Sequence, residues 1–252
     1  MAPADCAYQT DYARDHPELY DVAGREVKAK KIIAVLADYC GSDSLAGKTG
    51  LDVGCSSGII THYLSKHLSS TWGVDIDAEA IAFARRQFGS EKLRFEASDG
   101  MVLGFPGVSF DIVVCSQVYE HVPDADRLMK EIHRVLRPGG VCYFSAGNRL
   151  SVIEPHYHLP FLSVVPKPVA HAYLRLLRRG DRYYETHRTL WGLRRLTSDF
   201  RVVDYTIRIL REPARFYMDD LLREGSLAHR LVPLAAHGLY WVIPNYVWLL
   251  VK

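Results

Sequence analysis

The sequence predicts an α/β protein built on a doubly wound, parallel β-sheet. Three observations carry that prediction. Short apolar runs alternate with helical patterns between residues 48 and 147. One of them, FDIVVCS at 110–116, is apolar almost throughout, as in strands buried on both faces. The first two runs close on glycine and aspartate, residue types suited to the edge where strands hand over to helices and ligands bind.

In order, TGLDVG (49–54) reads as the first strand and 59–68 as the helix after it. TWGVDI (71–76) is the second strand, followed by a helix over 78–88 with one apolar face. KLRFEAS (92–98) and 110–116 are the third and fourth strands. Leu128, Ile132, Val135 and Leu136 give 125–136 a helical period, and Pro138-Gly139-Gly140 should stop that helix before the fifth strand, 141–147. Beyond Asn148 the rhythm breaks. Pro155, Pro160, Pro166 and Pro168 mark 149–180 as an insertion with short helices. Residues 188–200 regain a helical period, and RVVDYTIRIL (201–210) alternates as a strand. Residues 213–243 suggest a second helical excursion. NYVWLLV (245–251) has the β-branched and aromatic content of a final strand.

At 252 residues, 48% hydrophobic and 24% charged, the chain can bury a core without disulfide staples. Cys6, Cys40, Cys55, Cys115 and Cys142 form no C-x-x-C pair, so a reducing, cytoplasmic setting is expected. Asp5, Asp11, Asp15, Glu18 and Asp21 leave no apolar run for a secretory leader. A net charge of +2 is far from a nucleic-acid-binding balance, but its distribution is uneven. Residues 1–166 hold 16 basic against 21 acidic side chains, whereas 167–230 hold 14 against 8, thirteen of the 14 being arginine. Residues 231–251 carry no Asp, Glu, Lys or Arg, a run long enough to span a bilayer. Pro233, His237, Pro244 and Asn245 interrupt it, and a helix followed by a strand is the expected reading.

Three features carry chemistry. LDVGCSSG (51–58) lies where a strand turns into a helix. Gly54 permits the turn, Gly58 a close approach, and the amides at the helix start can face an electron-rich ligand. Asp75, 21 residues after Gly54, can accept from both hydroxyls of a ribose, and Asp99 from an adenine amino group. A dinucleotide frame from Gly54 would need glycine at positions occupied by Ser56 and Ile59, and no P-loop is present. That disfavours a nicotinamide-dependent oxidoreductase.

LDVGCSSG resembles the first motif of the class I S-adenosylmethionine-dependent methyltransferases, with Ser56 where a glycine often stands. GVDID (73–77), ASDG (97–100), FDIVVCSQVYEHVPD (110–124) and LMKEIHRVLRPGG (128–140) are similar to the later motifs, in family order. The resemblance covers 48–147 and implies a seven-stranded, mostly parallel, Rossmann-like sheet. Its last strand is antiparallel between the fifth and sixth, a slot for 245–251. It implies S-adenosylmethionine as cofactor. Gly54, Cys55, Ser56 and Gly58 would lie at its methionine part, Asp52 would orient the loop, and Asp75 would take the ribose. Ile76, Asp99 and Gly100 would flank the adenine, and Gln117 would stand near the methyl group. The stretch 117–124 also resembles quinone-pathway O-methyltransferases, where acidic residues and a histidine can hold a divalent metal. With Gln117 at the first acidic position, Glu120 and His121 are a poor magnesium site, and no metal is expected.

This reading gives one methyltransferase domain, with a cofactor core at 48–147 and acceptor-side lids at 149–200 and 211–243. The expected partner is a small-molecule acceptor, lipid-like or glycan-linked, methylated on oxygen. A cofactor-binding protein without turnover is the alternative. The candidate bases are His156, His158 and Glu154, after the fifth strand, and His187. Arg175, Arg178, Arg179, Arg182, Arg194 and Arg195 read first as a solvated face and second as an anion-binding surface. For 227–243, burial in the lid is the first reading and peripheral contact with a membrane the second.

Overall fold

A computed structural model describes residues 14, 16–219 and 222–252. Asp5, Cys6, Asp11 and Asp15 lie outside them, as do Asp220 and Leu221 of the second expected lid.

Helix α1 (Val22–Cys40) starts at Asp21, whose carboxylate accepts from the amides of Ala23 and Gly24. Strand β1 (Thr49–Val53) leads into α2 (Ile59–Ser65), β2 (Ser70–Asp75) into α3 (Ala78–Phe88), and β3 (Leu93–Ala97) by a loop into β4 (Phe110–Ser116). Helix α4 (Ala125–Val135) runs directly into β5 (Leu136–Gly147). A short hairpin of β6 (Ile153–Glu154) and β7 (Leu159–Pro160) follows, then α5 (Lys167–Leu176) and α6 (Leu190–Leu196). The chain closes with β8 (Arg201–Asp204), α7 (Thr206–Arg211), α8 (Leu227–Gly238) and β9 (Asn245–Val251).

The sheet has seven strands in the order β3-β2-β1-β4-β5-β9-β8. β9 pairs antiparallel with β5 and with β8, and β1 to β5 pair in parallel. The doubly wound, mostly parallel sheet and the antiparallel slot for 245–251 are therefore as expected. One core layer packs Val53, Val113, Cys115, Phe144 and Trp248 against Leu128, Ile132 and Leu193. The other packs Val35 and Leu36 of α1 against Val114, Tyr143 and Leu249. The four described cysteines are free thiols.

Three expectations are corrected. Pro138-Gly139-Gly140 does not separate α4 from β5. It lies inside the strand, where a register shift between Phe110 and Ile112 accommodates it. The strand over 201–210 ends at Asp204, whose carboxylate accepts from the amide of Thr206 at 2.8 Å and starts α7 instead. The helix over 188–200 is shorter, because Thr189 caps it to begin at Leu190.

Gly58 has φ +74°, and a Cβ there would lie 2.7 Å from both Ala84 Cβ and Phe95 Cε1. Its role is to let α2 start close against α3 and β3. Gly58→Ala should therefore lower stability by about 1–3 kcal/mol, read as a lower urea midpoint at unchanged slope.

Candidate active site

A cavity of about 910 Å³ opens at the C-terminal edge of the parallel strands. That is near the top of the roughly 300–1,000 Å³ range of small-molecule sites, with room for two ligands. Its floor is the loop after β1. Gly54 turns at φ +74°, with Val118 so close that a Cβ would meet it at 2.5 Å. The Gly54 and Cys55 amides both donate to Val74 O, which ties the loop to β2. Ser56, where the family motif often has glycine, takes φ +49° and donates its amide to Asp75 Oδ2 at 2.7 Å. Asp75 Oδ1 accepts from the Asp77 amide at 2.9 Å. Each oxygen keeps a further lone pair for a ligand. Burial raises the Asp75 carboxyl despite these bonds.

Asp52, Gly54, Cys55, Ser56, Asp75, Ile76, Asp99, Gly100 and Gln117 all line the cavity. Gly58 is not part of that lining and packs against Ala84 and Phe95. Asp52 is buried and accepts from Thr61 Oγ1 at 2.6 Å, and burial pushes it up to about 7. Asp99 accepts from the Met101 amide. Gln117 Nε2 donates to Ser145 Oγ and Asn245 Oδ1, so β9 helps to orient it.

The four candidate bases divide. His156 and His158 line the cavity, but Glu154 and His187 do not and stand behind His156. Glu154 is fully buried. Its Oε2 accepts from the amides of His156 and Tyr157, both at 2.8 Å, and its Oε1 lies 2.7 Å from His156 Nδ1 and 3.3 Å from His187 Nε2. Burial would raise the Glu154 carboxyl, but the hydrogen bonds from His156 and His187 outweigh it and hold it at about 2. Burial alone would lower His156. The bond to Glu154 and the charges of Glu185, Glu154 and Glu120 overcome that and raise it above its usual 6.5. With Nδ1 committed, Nε2 is the nitrogen left for a substrate. Burial and neighbouring His156 and His187 push His121 down to about 3.

The fold also assembles what the sequence reading lacked for a metal. Glu120, His121 and His156 bring one ligating atom each within 4.8 Å of one another, as do Glu154, His156 and His187. Glu120 is 1% exposed, and neither of its oxygens accepts a hydrogen bond among the described residues. Burial raises its carboxyl. This nitrogen-rich set suits a zinc-like ion better than magnesium. The third ligand, His156, arrives from the insertion, 36 residues beyond Glu120, so local spacing could not reveal it. Arg25, Lys28 and Lys31 of α1 form a further wall that the motifs did not mark.

A family model described as a methyltransferase domain matches residues 51–144. The ubiquinone biosynthesis O-methyltransferase of Coxiella burnetii is 35% identical over 108 residues, 42% of this chain and 46% of that protein. That of Pseudomonas paraeruginosa is 38% identical over 128 residues, 47% and 55% of the two chains. The chain spans about half the length of the curated relatives it matches. Among solved structures, an S-adenosylmethionine dependent methyltransferase from Mesorhizobium loti superposes over 82% of this chain and 92% of that one. Its TM-score of 0.55 at 18% identity is a likeness of fold.

The Glu154–His156 pair has a two-sided pH signature. Glu154 is depressed, so its stabilisation is complete above about 4.5 and lost as pH falls toward 2. His156 is raised, so its share is complete below 6.5 and lost as pH rises through its folded value. The melting temperatures of wild type and Glu154→Gln should differ most between these limits, converge as pH falls toward 2, and draw closer without meeting as pH rises through the folded value of His156, as thermal denaturation across pH will show.

Proposed function

We propose that this chain, a class I S-adenosylmethionine-dependent methyltransferase by its residues 51–144, methylates a hydroxyl of a small amphiphilic acceptor with His156 as general base. The observation that carries the reading is a single cavity. Its lining includes Asp52, Asp75 and Asp99, the positions expected for the cofactor, together with His156, whose ring is buttressed by a buried carboxylate.

Bound S-adenosylmethionine supplies an electrophilic methyl on a sulfonium that departs as a neutral thioether. Asp75 would hold the ribose through its free lone pairs, Asp99 the adenine amino group, and Asp52 the methionine ammonium. Alignment of donor and acceptor then provides much of the rate. His156 Nε2 would take the acceptor proton, while Glu154 fixes the ring through Nδ1 and stabilises the imidazolium that forms. His187 braces Glu154 from the far side.

The hairpin and helices of 149–200 and the segment 211–243 serve as the acceptor side. Pro155, His156 and His158 bring the first to the cavity wall, whereas none of the described residues of 211–243 lines it, so that segment would close the site from farther out. Helix α8 corrects the burial reading of 227–243. It buries Pro233 and Ala236 but leaves Leu227, Leu231 and Leu234 74%, 61% and 69% exposed in one stripe. No described helix is long and apolar enough to cross a membrane. The stripe supports contact with a lipid interface, where a lipid-like acceptor would reside.

Glu120, with no hydrogen-bond partner among the described residues, favours a second reading of the same spot. Held by Glu120, His121 and His156, a divalent ion would polarise the acceptor oxygen.

Calorimetric titration with S-adenosylhomocysteine should show binding, weakened by about 1.5–3 kcal/mol in Asp75→Ala. Unchanged affinity removes Asp75 from the ribose site. His156→Ala should leave that affinity intact and lower kcat by about 10²–10⁴ with a methylatable acceptor. Turnover should rise with pH through a midpoint above 6.5, because the neutral ring is the base, and Glu154→Gln should move the midpoint down. Loss of turnover on chelation, restored by Zn²⁺ or Mn²⁺, assigns His156 to the metal instead. Leu231→Glu with Leu234→Glu should abolish co-sedimentation with lipid vesicles while sparing cofactor binding.

A further inference from the structure

We infer that the acceptor carries a phosphate group, bound by Lys28 and Lys31 on the α1 wall of the cavity, an inference that rests on the methyl-transfer reading above. Helix α1 sorts its side chains sharply. Ala29, Ile32, Val35 and Leu36 are buried in the core. Glu26 pairs with Lys30 at 2.8 Å and accepts from the Tyr63 hydroxyl, settling the charge on its outer side. Arg25, Lys28 and Lys31 line the cavity.

Among the described residues, neither the Lys28 nor the Lys31 ammonium takes part in a hydrogen bond or an ion pair. Glu18 and Asp21 act on Lys28 only at longer range. Lys28 is exposed at the rim and Lys31 is half-buried. Desolvation and mutual repulsion lower both: Arg25 acts on Lys28, and Lys28 acts on Lys31. Neighbouring cations on a cavity wall are relieved by an anion; among the described residues Glu18 lines the same cavity but reaches Lys28 only through its charge, without an ion pair.

The cofactor does not supply one either. Its carboxylate is offset by its ammonium and sulfonium, leaving it net positive. Arg25, which lines the cavity and whose charge acts on Asp52, is the cation of this wall nearest the expected methionine end. Lys28 and Lys31 stand about 4.5 and 9 Å farther along the helix axis, beyond it. Two ammonium point charges one turn apart suit a doubly charged phosphate, whereas a lone carboxylate is better matched by the guanidinium fork. The same cavity offers apolar wall at Ile32, Val118 and Val247, so the phosphate need only be one end of a larger molecule.

The test loads the protein with S-adenosylhomocysteine and titrates phenyl phosphate and phenol by calorimetry. Phenyl phosphate should bind about tenfold or more tighter than phenol. Lys28→Gln with Lys31→Gln should erase that preference at unchanged S-adenosylhomocysteine affinity. Lys28→Arg with Lys31→Arg should keep it, which separates charge from fold. Geranyl phosphate and glucose 1-phosphate, each against its free alcohol, distinguish a lipid source from a sugar source, and a phosphate preference in either supports the site. Equal binding of phenyl phosphate and phenol, no binding of either, or a preference that survives in the double glutamine variant overturns the inference. Failure of S-adenosylhomocysteine to bind overturns the methyl-transfer reading instead, and the phosphate titration on the free protein then still decides this one.

Discussion

Everything around the cavity depends on a set of parallel strands that end at one level. The ladder pairs Val53 with Val74 and with Cys115, Asp75 with Ala97, and Ser116 with Ser145. Gly54, Asp75, Asp99, Gln117 and Gly147 therefore emerge on a common rim although they are scattered over 94 residues of chain. A slip of one residue in any strand would turn its side chains to the opposite face and remove its contribution from that rim. The buried apolar side chains of β4 and β5 hold the register, so the core and the site share one cause.

The buried carboxylates show how donors act against burial in deciding ionisation. Glu154 has two amides and two histidine rings around it and stays charged. Asp52, equally buried, has one hydroxyl donor and is poised near neutrality. Glu120 has no hydrogen-bond donor among the described residues and is pushed toward its neutral form. Desolvation raises all three, and the hydrogen bonds and histidine rings around Glu154 are what turn it the other way.

The strand-edge lining of the cavity was legible in the sequence because its signals are local. A glycine turn, an aspartate at a strand end and an apolar run each declare their place within a few residues. Gly58 was visible as a tight spot, but only the fold distinguishes a neighbouring helix from a ligand. The acceptor side was not legible. Glu154, His156 and His187 meet through tertiary packing, and the lysines of α1 face the cavity through the helix's rotation rather than through any motif. The strand expected over 201–210 stopped short for a related reason: the Asp204 carboxylate takes the Thr206 amide and turns the chain out of the sheet.

The segment after β5 leaves and rejoins the core at one point. Asn148 bridges to Arg188, and the Arg149 amide donates to Arg188 O at 3.0 Å. The Tyr119 hydroxyl seals that junction, donating to Gly147 O and accepting from the Arg188 amide. A loop whose ends already touch can be lengthened, shortened or exchanged without disturbing the strands beneath it. Residues 149–187 thus form a cassette. A fold of this kind can change what it presents above the cavity by replacing such a segment whole, while the strand edge beneath stays unaltered.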